Sequence, residues 1–226
     1  MRRALRGTNR ALCGLALVAL LSGCVPWDPS PPPAPSATGA GFPCPGVERP
    51  TADSPRPVVA SGRVGVGRVS YPLAPAPFEA PSNVDYIPFA NLVGAQHANV
   101  ERSTASSMGW DAVVLLARLS SVDGAWGAQR AAEVVAQCSL SMTWLGIDYH
   151  PRVTRDEASV VDGHAAWIRV TELSFTVPGI RASTEVQTVI ILQTEGESYA
   201  YLSYLPDTAP QLKPVLDATR EGLRVA

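Results

Sequence analysis

Four cysteines are the residues of this sequence with the clearest potential for chemistry, and Cys24 stands out among them. It ends the tetrapeptide Leu21-Ser22-Gly23-Cys24, which follows a short apolar run and precedes a proline-rich tract. The small residues before the cysteine let the backbone enter a peptidase cleft, and its thiolate is a nucleophile that can accept a diacylglycerol group as a thioether. This lipobox pattern predicts cleavage between Gly23 and Cys24 and lipidation of Cys24.

The residues before Cys24 have the layout of a secretory signal peptide. Residues 1–10 contain four arginines and no acidic residue, and residues 11–21 are almost entirely apolar. This run is shorter than the roughly 20 residues that cross about 30 Å of hydrocarbon. We predict a lipoprotein signal peptide over 1–23 and a chain anchored on the extracytoplasmic face of the cell membrane. An ordinary signal peptide with an incidental cysteine, or an uncleaved anchor, is the alternative.

Cleavage removes Cys13 and lipidation uses Cys24, so Cys44 and Cys138 remain as an even pair in an oxidising compartment. A bridge between them would close a loop of nearly a hundred residues, for which the chain-entropy estimate is roughly 4–5 kcal/mol. We predict this disulfide. In the alternative, Cys138 is a small buried apolar residue and Cys44 is free.

No complete catalytic or metal-binding pattern is present. The sequence lacks G-x-S-x-G, H-E-x-x-H, C-x-x-C and calcium-loop spacings. Its three histidines, His97, His150 and His164, are expected at surface or turn positions. Asp148 precedes His150 and Asp162 precedes His164 by two residues, which leaves a weak metal site as an alternative to solvated turns. We predict no catalytic residue, no metal and no cofactor.

Aromatic side chains are the remaining candidates for ligand binding. Trp167 lies in a predicted strand and is expected in the core, because large aromatic residues usually supply buried area. Trp110, Trp126 and Trp144 can pack in the core in the same way, or they can rim a groove. We retain these three as candidate ligand-binding residues, with the core as the favoured alternative.

The charge balance argues against a nucleic-acid partner. The formal net charge is −2, but four of the 18 basic residues precede Cys24, so the mature chain carries 14 basic against 20 acidic residues, or −6. Neutralising phosphates requires clustered lysine or arginine, and no such run occurs in the mature chain.

Composition divides the mature chain in two. Residues 24–60 are rich in proline, serine and glycine, which is typical of a disordered or extended spacer that holds a domain clear of the membrane. A proline-rich ligand for a partner domain is the alternative use. Beyond Ser61 the pattern becomes that of a folded domain, and the stretch "RVGVGRVSYPL" predicts a first strand.

The folded part, 61–226, is predicted to be α+β, with an antiparallel sheet covered by two helices. Apolar residues spaced i, i+3, i+4 and i+7 predict a helix from Trp126 to about Met142. Short turns separate the later strands, which predicts an antiparallel meander in the second half. A closing helix is expected to be capped by Asp207 or Thr208 and to become regular near Lys213. The other predicted strands cover 97–102, 111–119, 155–161, 164–177, 181–194 and 198–205.

The segment 61–226 resembles actinobacterial envelope proteins of uncharacterised function. The resemblance is carried by "WDAVVLLARL", "DGAWGAQRAAEVVAQC", "VDGHAAWIRVTELSFTVPG" and "LPDTAPQLKPVLDATREGLRV". A D-G turn followed by Ala and Trp in a strand, with a final proline-initiated helix, is similar to the PsbP-like fold of LpqN-type lipoproteins. The resemblance implies a PsbP-like, mostly non-catalytic domain, and it brings no shared catalytic set to numbered positions here.

Together these observations predict a membrane-anchored envelope lipoprotein whose domain is a non-catalytic binding or assembly module. Its partner would be an envelope protein or an apolar ligand. Two alternatives remain open at this point: a carrier that holds a lipid or another apolar ligand between sheet and helices, and an envelope hydrolase. The carrier requires a large apolar cavity, and the hydrolase requires a histidine beside a serine or aspartate in a cleft.

Overall fold

A six-stranded antiparallel sheet forms the centre of the structure. Its strands are β4 (Ala90–Arg102), β5 (Gly109–Leu119), β6 (Tyr149–Val161), β7 (His164–Phe175), β8 (Thr184–Thr194) and β9 (Glu197–Pro206). They lie in the order β4-β5-β9-β8-β7-β6, so the four consecutive strands β6 to β9 are neighbours. This arrangement confirms the α+β class and the predicted meander. The central strands are continuously apolar, as at Val189–Leu192, because both faces of the sheet are covered.

The computed structural model describes Cys44 and residues 57–84, 90–104, 108–119, 127–143 and 146–226. The described residues all belong to one unit, Gly41–Ala226. The predicted signal peptide, the lipidation site Cys24 and most of the predicted linker lie outside the described residues, as do Trp126 and Trp144. The predictions made for them therefore stay predictions. No helix of the described part is long and apolar enough to cross a membrane.

A second, four-stranded sheet packs against the first. It consists of β1 (Val58–Ala60), β2 (Arg63–Val66), β3 (Val69–Pro72) and β10 (Arg224–Val225), in the order β1-β2-β3-β10. The single strand predicted over "RVGVGRVSYPL" is wrong, because Gly67 and Arg68 form a turn that divides the stretch into the hairpin β2–β3. Gly67 has φ +58°, a backbone conformation that glycine adopts most easily. β1 starts three residues before the predicted domain boundary.

Glycine at position 94 allows the two sheets to approach each other. A Cβ atom on Gly94 of β4 would lie 3.0 Å from the side chain of Val64 and 3.1 Å from that of Val66, both on β2. Both valines are fully buried, and they belong to the core between the sheets. A larger residue at position 94 would push the sheets apart at this point.

Two helices complete the covering of the central sheet. α1 (Gly127–Thr143) packs on β6, β7 and β8, and its buried alanine, valine and leucine side chains fill the core on that face. α2 (Lys213–Glu221) lies with the small sheet on the opposite face. The predicted position of the first helix and the predicted start of the second at Lys213 are confirmed.

The predicted cap of the closing helix is wrong. α2 follows a 3₁₀ turn at Pro210–Leu212, and no side chain caps either element. The carboxylate of Asp207 instead accepts hydrogen bonds from the backbone N–H groups of Ser183 and Thr184, at 3.3 and 3.1 Å. It thus supports the start of β8 rather than the start of a helix.

Strand β6 begins earlier than the sequence predicts. The predicted strand covers 155–161, but β6 starts at Tyr149, runs through His150 and Pro151, and pairs with β7 from Tyr149 onward. β6 is the edge of the sheet, where a proline nitrogen can face solvent without losing a ladder hydrogen bond. The strand is exposed along most of its length, and this exposure agrees with its charged composition.

The structure contains the disulfide between Cys44 and Cys138, with 5.4 Å between the two Cα atoms. Cys138 lies on the buried side of α1, and the Oγ atom of Ser141 donates a hydrogen bond to the Cys44 sulfur at 3.3 Å. The bridge ties a residue that precedes all the strands in sequence to the helix that covers the central sheet.

Candidate functional site

An open depression lies at the end of the central sheet where β4 leads into the β4–β5 connection and β7 turns into β8. Its volume is about 560 Å³. Two sequence segments supply its walls, the end of β4 with the residues after it, and the β7–β8 loop. The lining residues are Val100, Glu101, Arg102, Thr104, Gly179, Ile180 and Arg181.

A buried carboxylate holds the two segments together. The side chain of Glu101 is only 5% exposed, and it accepts hydrogen bonds from the backbone N–H groups of Arg181 and Ala182, at 2.5 and 3.2 Å. The Nε atom of Arg181 donates a third hydrogen bond at 3.1 Å. Desolvation acts to raise the pKa of Glu101, but these donors outweigh it and hold the pKa below its ordinary value.

Backbone contacts fix the loop above this carboxylate. The N–H of Thr104 points at the carbonyl of Gly179 over 3.4 Å, and the N–H of Ile180 donates to the carbonyl of Val177 at 3.1 Å, which closes the Pro178-Gly179 turn. The segment after β4 and the β7–β8 loop are therefore joined both by backbone and by side chain.

Two arginines give the depression its positive charge. The side chain of Arg181 is 78% exposed although its Nε atom is tied to Glu101, so its two terminal nitrogens form no hydrogen bond with the described residues. Arg102 is exposed as well, and it forms no hydrogen bond or ion pair within the described part of the chain. Arg102 does lie close enough to Asp111 to lower the pKa of that carboxyl.

A second buried glutamate lies beneath this end of the sheet. Glu185 of β8 is 3% exposed, and the indole N–H of Trp110 donates to its carboxyl at 2.7 Å. Burial raises the pKa of Glu185 to about 8, with smaller contributions from the negative charges of Asp111 and Asp207, so this side chain is mainly neutral at pH 7. The Trp110 ring also stacks on Phe175, with 4.6 Å between the ring centroids.

A histidine–aspartate pair lies nearby on β4 and β5. His97 Nδ1 is 3.7 Å from the carboxylate of Asp111, and Asn99 donates to the same carboxylate at 2.7 Å. The close contact with His97 is the main cause that holds the pKa of Asp111 below its usual range; desolvation opposes it. Such a pair can orient an imidazole ring, but neither side chain lines the depression.

The candidates singled out from the sequence lie mostly elsewhere. Trp110 is 7% exposed and packs in the core, as the favoured alternative expected, so it does not rim an open groove. His150 lies on the exposed edge strand β6, and His164 starts β7 after the Asp162-Gly163 turn. Within the described ranges, no group of three or more histidine, cysteine, aspartate or glutamate side chains could hold a metal ion.

Sequence reasoning missed the residues that define the depression. Glu101 and Arg181 are 80 positions apart, and only the pairing of strands brings them together. Two weak signals were available. Glu101 is an acidic residue within a predicted strand, and Arg181 follows the Pro178-Gly179 turn at the position where a loop side chain is easily presented.

No family model and no curated protein matches the chain. Among solved structures, the cyanobacterial PsbP (CyanoP) of Synechocystis sp. PCC 6803 is similar with a TM-score of 0.46 and 10% identity, over 70% of this chain and 87% of that one. The Saccharomyces cerevisiae Ran-binding protein Mog1p has a TM-score of 0.42 and 11% identity, over 70% of this chain and 90% of that one. A Pseudomonas aeruginosa protein of unknown function, PA94, has a TM-score of 0.39 and 12% identity, over 73% of this chain and 96% of that one. These TM-scores and identities carry no argument about function.

Proposed function

We propose that the protein is a lipoprotein, anchored through Cys24 to the extracytoplasmic face of the cell membrane, whose folded part is a non-catalytic binding module. The lipobox at Leu21–Cys24 supports the anchor. The observation that carries the binding role is the open depression at the end of the central sheet, with its two segments joined by Glu101.

The composition of this depression favours binding over bond cleavage. Its described lining contains two arginines, one glutamate and two aliphatic side chains, and Thr104 has its only side-chain hydroxyl. The glutamate is already occupied by three donors, so it is poorly suited to take a proton from a substrate. The site offers charge, shape and fixed loops, which are the properties of a recognition surface.

The other two functions considered from the sequence gain no support of this kind. Buried side chains of α1 and of the sheet fill the interface where an apolar ligand would be carried, including Val135, Leu140 and Ile191. A hydrolase would have in its favour the His97–Asp111 pair, which lies outside the lining of the depression. We therefore propose neither.

The anchor is tested by substituting Cys24→Ala and separating membranes from soluble material in the native host. We expect the wild-type protein in the membrane fraction at the mass of a processed, acylated chain. The variant should accumulate as unprocessed precursor without the acyl mass. Equal processing and equal acyl mass in both proteins would contradict the anchor. Cys44→Ala serves as a control, because it removes a cysteine that is not expected to be acylated.

The binding role is tested by photo-crosslinking in the same host, with the full chain carrying a benzophenone amino acid at Thr104. This residue is exposed and lines the depression. We expect a discrete adduct at position 104. The matched control places the same group at Glu195, an exposed residue of the β8–β9 turn that does not line the depression. No adduct at position 104, or the same adduct at both positions, would contradict a binding surface here.

A further inference from the structure

We propose that the depression binds a carboxylate of a peptide partner, held by Arg102 and Arg181, with an adjacent apolar side chain of that peptide against Val100 and Ile180. This proposal rests on the binding role proposed above and names the chemistry of its ligand. All four residues line the same depression.

Arg181 is presented as an oriented donor. Its Nε atom and its backbone N–H both bind the buried carboxylate of Glu101, which restricts the direction of the side chain, while the guanidinium remains mostly exposed. A guanidinium fixed at Nε keeps both terminal nitrogens for an incoming ligand. Two parallel N–H groups of this kind match the two oxygens of a carboxylate.

Arg102 supplies a second positive charge that no hydrogen bond or ion pair with a described residue occupies. No described residue forms a hydrogen bond or ion pair with its guanidinium, and it follows directly after the Glu101 that holds Arg181. An anion that binds this arginine displaces no existing ion pair, and a guanidinium is more weakly hydrated than an ammonium group. The two arginines thus approach the depression from its two different segments.

The surrounding charges select a monoanion. The described lining contains two arginines and the ionised Glu101, so it is left with one net positive charge before any ligand binds. A phosphate monoester carries close to two negative charges at pH 7 and would leave one of them uncompensated beside Glu101. One carboxylate adds a single charge, and its planar shape fits the exposed guanidinium.

The apolar part of the lining favours a peptide over a lipid headgroup. Val100 and Ile180 are half-buried and contribute aliphatic surface next to the arginines. The group beside the bound carboxylate must therefore be apolar. A peptide carries an aliphatic side chain within one residue of a carboxylate, whereas the groups next to a phospholipid phosphate are ester and alcohol oxygens.

The test measures the binding of small probes to the full chain, purified in a zwitterionic detergent, by following backbone amide signals in NMR spectra. The first probe is N-acetyl-leucine, which has a carboxylate beside an apolar side chain. N-acetyl-leucinamide is its matched control without the carboxylate, and dimethyl phosphate represents a phosphodiester monoanion. Each is titrated at constant ionic strength.

We expect N-acetyl-leucine to shift the signals of 100–104 and 179–181 in a saturable manner. N-acetyl-leucinamide and dimethyl phosphate should leave them nearly unchanged. Arg102→Gln and Arg181→Gln should each weaken N-acetyl-leucine binding by at least roughly fivefold, since each removes a charge-assisted hydrogen bond. Arg224→Gln, in the other sheet, is the matched control and should bind as the wild type does.

Three results would overturn the proposal: equal binding of the acid and the amide, tighter binding of dimethyl phosphate, or wild-type affinity in both arginine variants. These results are separable from a failure of the proposed function. If Thr104 still crosslinks a partner while the carboxylate probe does not bind, only the ligand class is wrong. If the crosslink is also absent, the binding role itself fails.

Discussion

The two glutamates at the loop end of the central sheet are almost equally hidden from solvent, yet they differ in ionisation. Glu101 is 8% exposed and its pKa is lowered, while Glu185 is 3% exposed and its pKa is raised to about 8. Glu101 faces two backbone N–H groups and an arginine, whereas Glu185 faces one indole N–H and the charges of two aspartates. For Glu185 burial dominates and raises the pKa, whereas for Glu101 the surrounding donors outweigh desolvation and lower it.

This difference also separates their roles. The charged Glu101 organises backbone and arginine at the rim, and it therefore gives the depression its shape. The neutral Glu185 lies in the core and binds the indole of Trp110, which stacks on Phe175. An uncharged carboxyl can be tolerated in such apolar surroundings. The rim and the core beneath it should consequently respond in opposite ways to pH.

The largest expected effect comes from removing the core partner, with Trp110→Ala. The substitution deletes the stacking on Phe175 and the donor to Glu185, and it leaves a large cavity. We expect the free energy of unfolding to fall by about 3–5 kcal/mol, measured by urea denaturation at pH 6. Trp110→Phe keeps an aromatic ring at this position, so its free energy of unfolding should fall by less than that of Trp110→Ala. A loss below about 1 kcal/mol for the alanine variant would show that the indole is not a core element.

The next effect is expected for Glu185→Gln, and it depends on pH. Because the pKa of Glu185 is raised by folding, the proton it retains stabilises the wild type at low pH, and this stabilisation is lost as the pH rises toward 8. Glutamine keeps an acceptor for Trp110 but never ionises. The variant should match the wild type near pH 4 and exceed it by about 4 kcal/mol near pH 8. If the free energies of unfolding of the variant and the wild type changed with pH in parallel, the pKa of Glu185 would not be raised by folding.

Glu101→Gln should show the opposite dependence, with a smaller amplitude, because water can take over hydrogen bonds at the rim. A lowered pKa stabilises the folded wild type above the unfolded-state pKa, and this contribution is lost as the pH falls through the folded-state value. The variant should be less stable than the wild type at pH 7, and the difference should shrink as the pH falls through the folded-state pKa of Glu101. Faster amide exchange at Arg181 and Ala182 provides the local measurement. A variant more stable than the wild type at pH 7 would reverse the interpretation.

The smallest stability effect is expected for Arg181→Gln. The side chain is mostly exposed, and the backbone N–H of residue 181 still binds Glu101 after the substitution. The free energy of unfolding should change by less than about 1 kcal/mol at pH 7, as is usual for an exposed ion pair. A larger loss of unfolding free energy, measured by the same urea titrations, would mean that the guanidinium itself holds the loop. The rim would then contribute to stability as the core does.

The second half of the fold was predictable because its signals are local. The turns at Asp162-Gly163 and Pro178-Gly179 separate strands that then pair with their neighbours in sequence, so periodicity and turn residues suffice. The apolar residues spaced at helical intervals over Ala131–Cys138 predicted α1 in the same way. The small sheet was not, because β1 lies in a segment with linker composition and the two-residue β10 pairs with β3 from the far end of the chain.

The depression could not be predicted, for a related reason. It depends on Glu101 meeting a loop 80 positions later, and nothing in the local sequence of either segment specifies that partner. The aromatic candidates were chosen by type alone, and Trp110 proved to be a core residue with a hydrogen-bonded indole. Residue type gives the chemistry available, whereas the pairing of strands decides which side chains meet.

The Cys44–Cys138 bridge has a mechanical consequence. Tension applied through the N-terminal segment enters the fold at Cys138 on α1, because the covalent bond bypasses everything between the two cysteines. The strands β1 to β5, including the wall of the depression at Glu101, lie inside that closed loop, so a pull on the N-terminus cannot extend their backbone while the bridge is intact. If Cys24 is lipidated as proposed, the bridge thus protects the strand that carries Glu101 from being unravelled through that anchor.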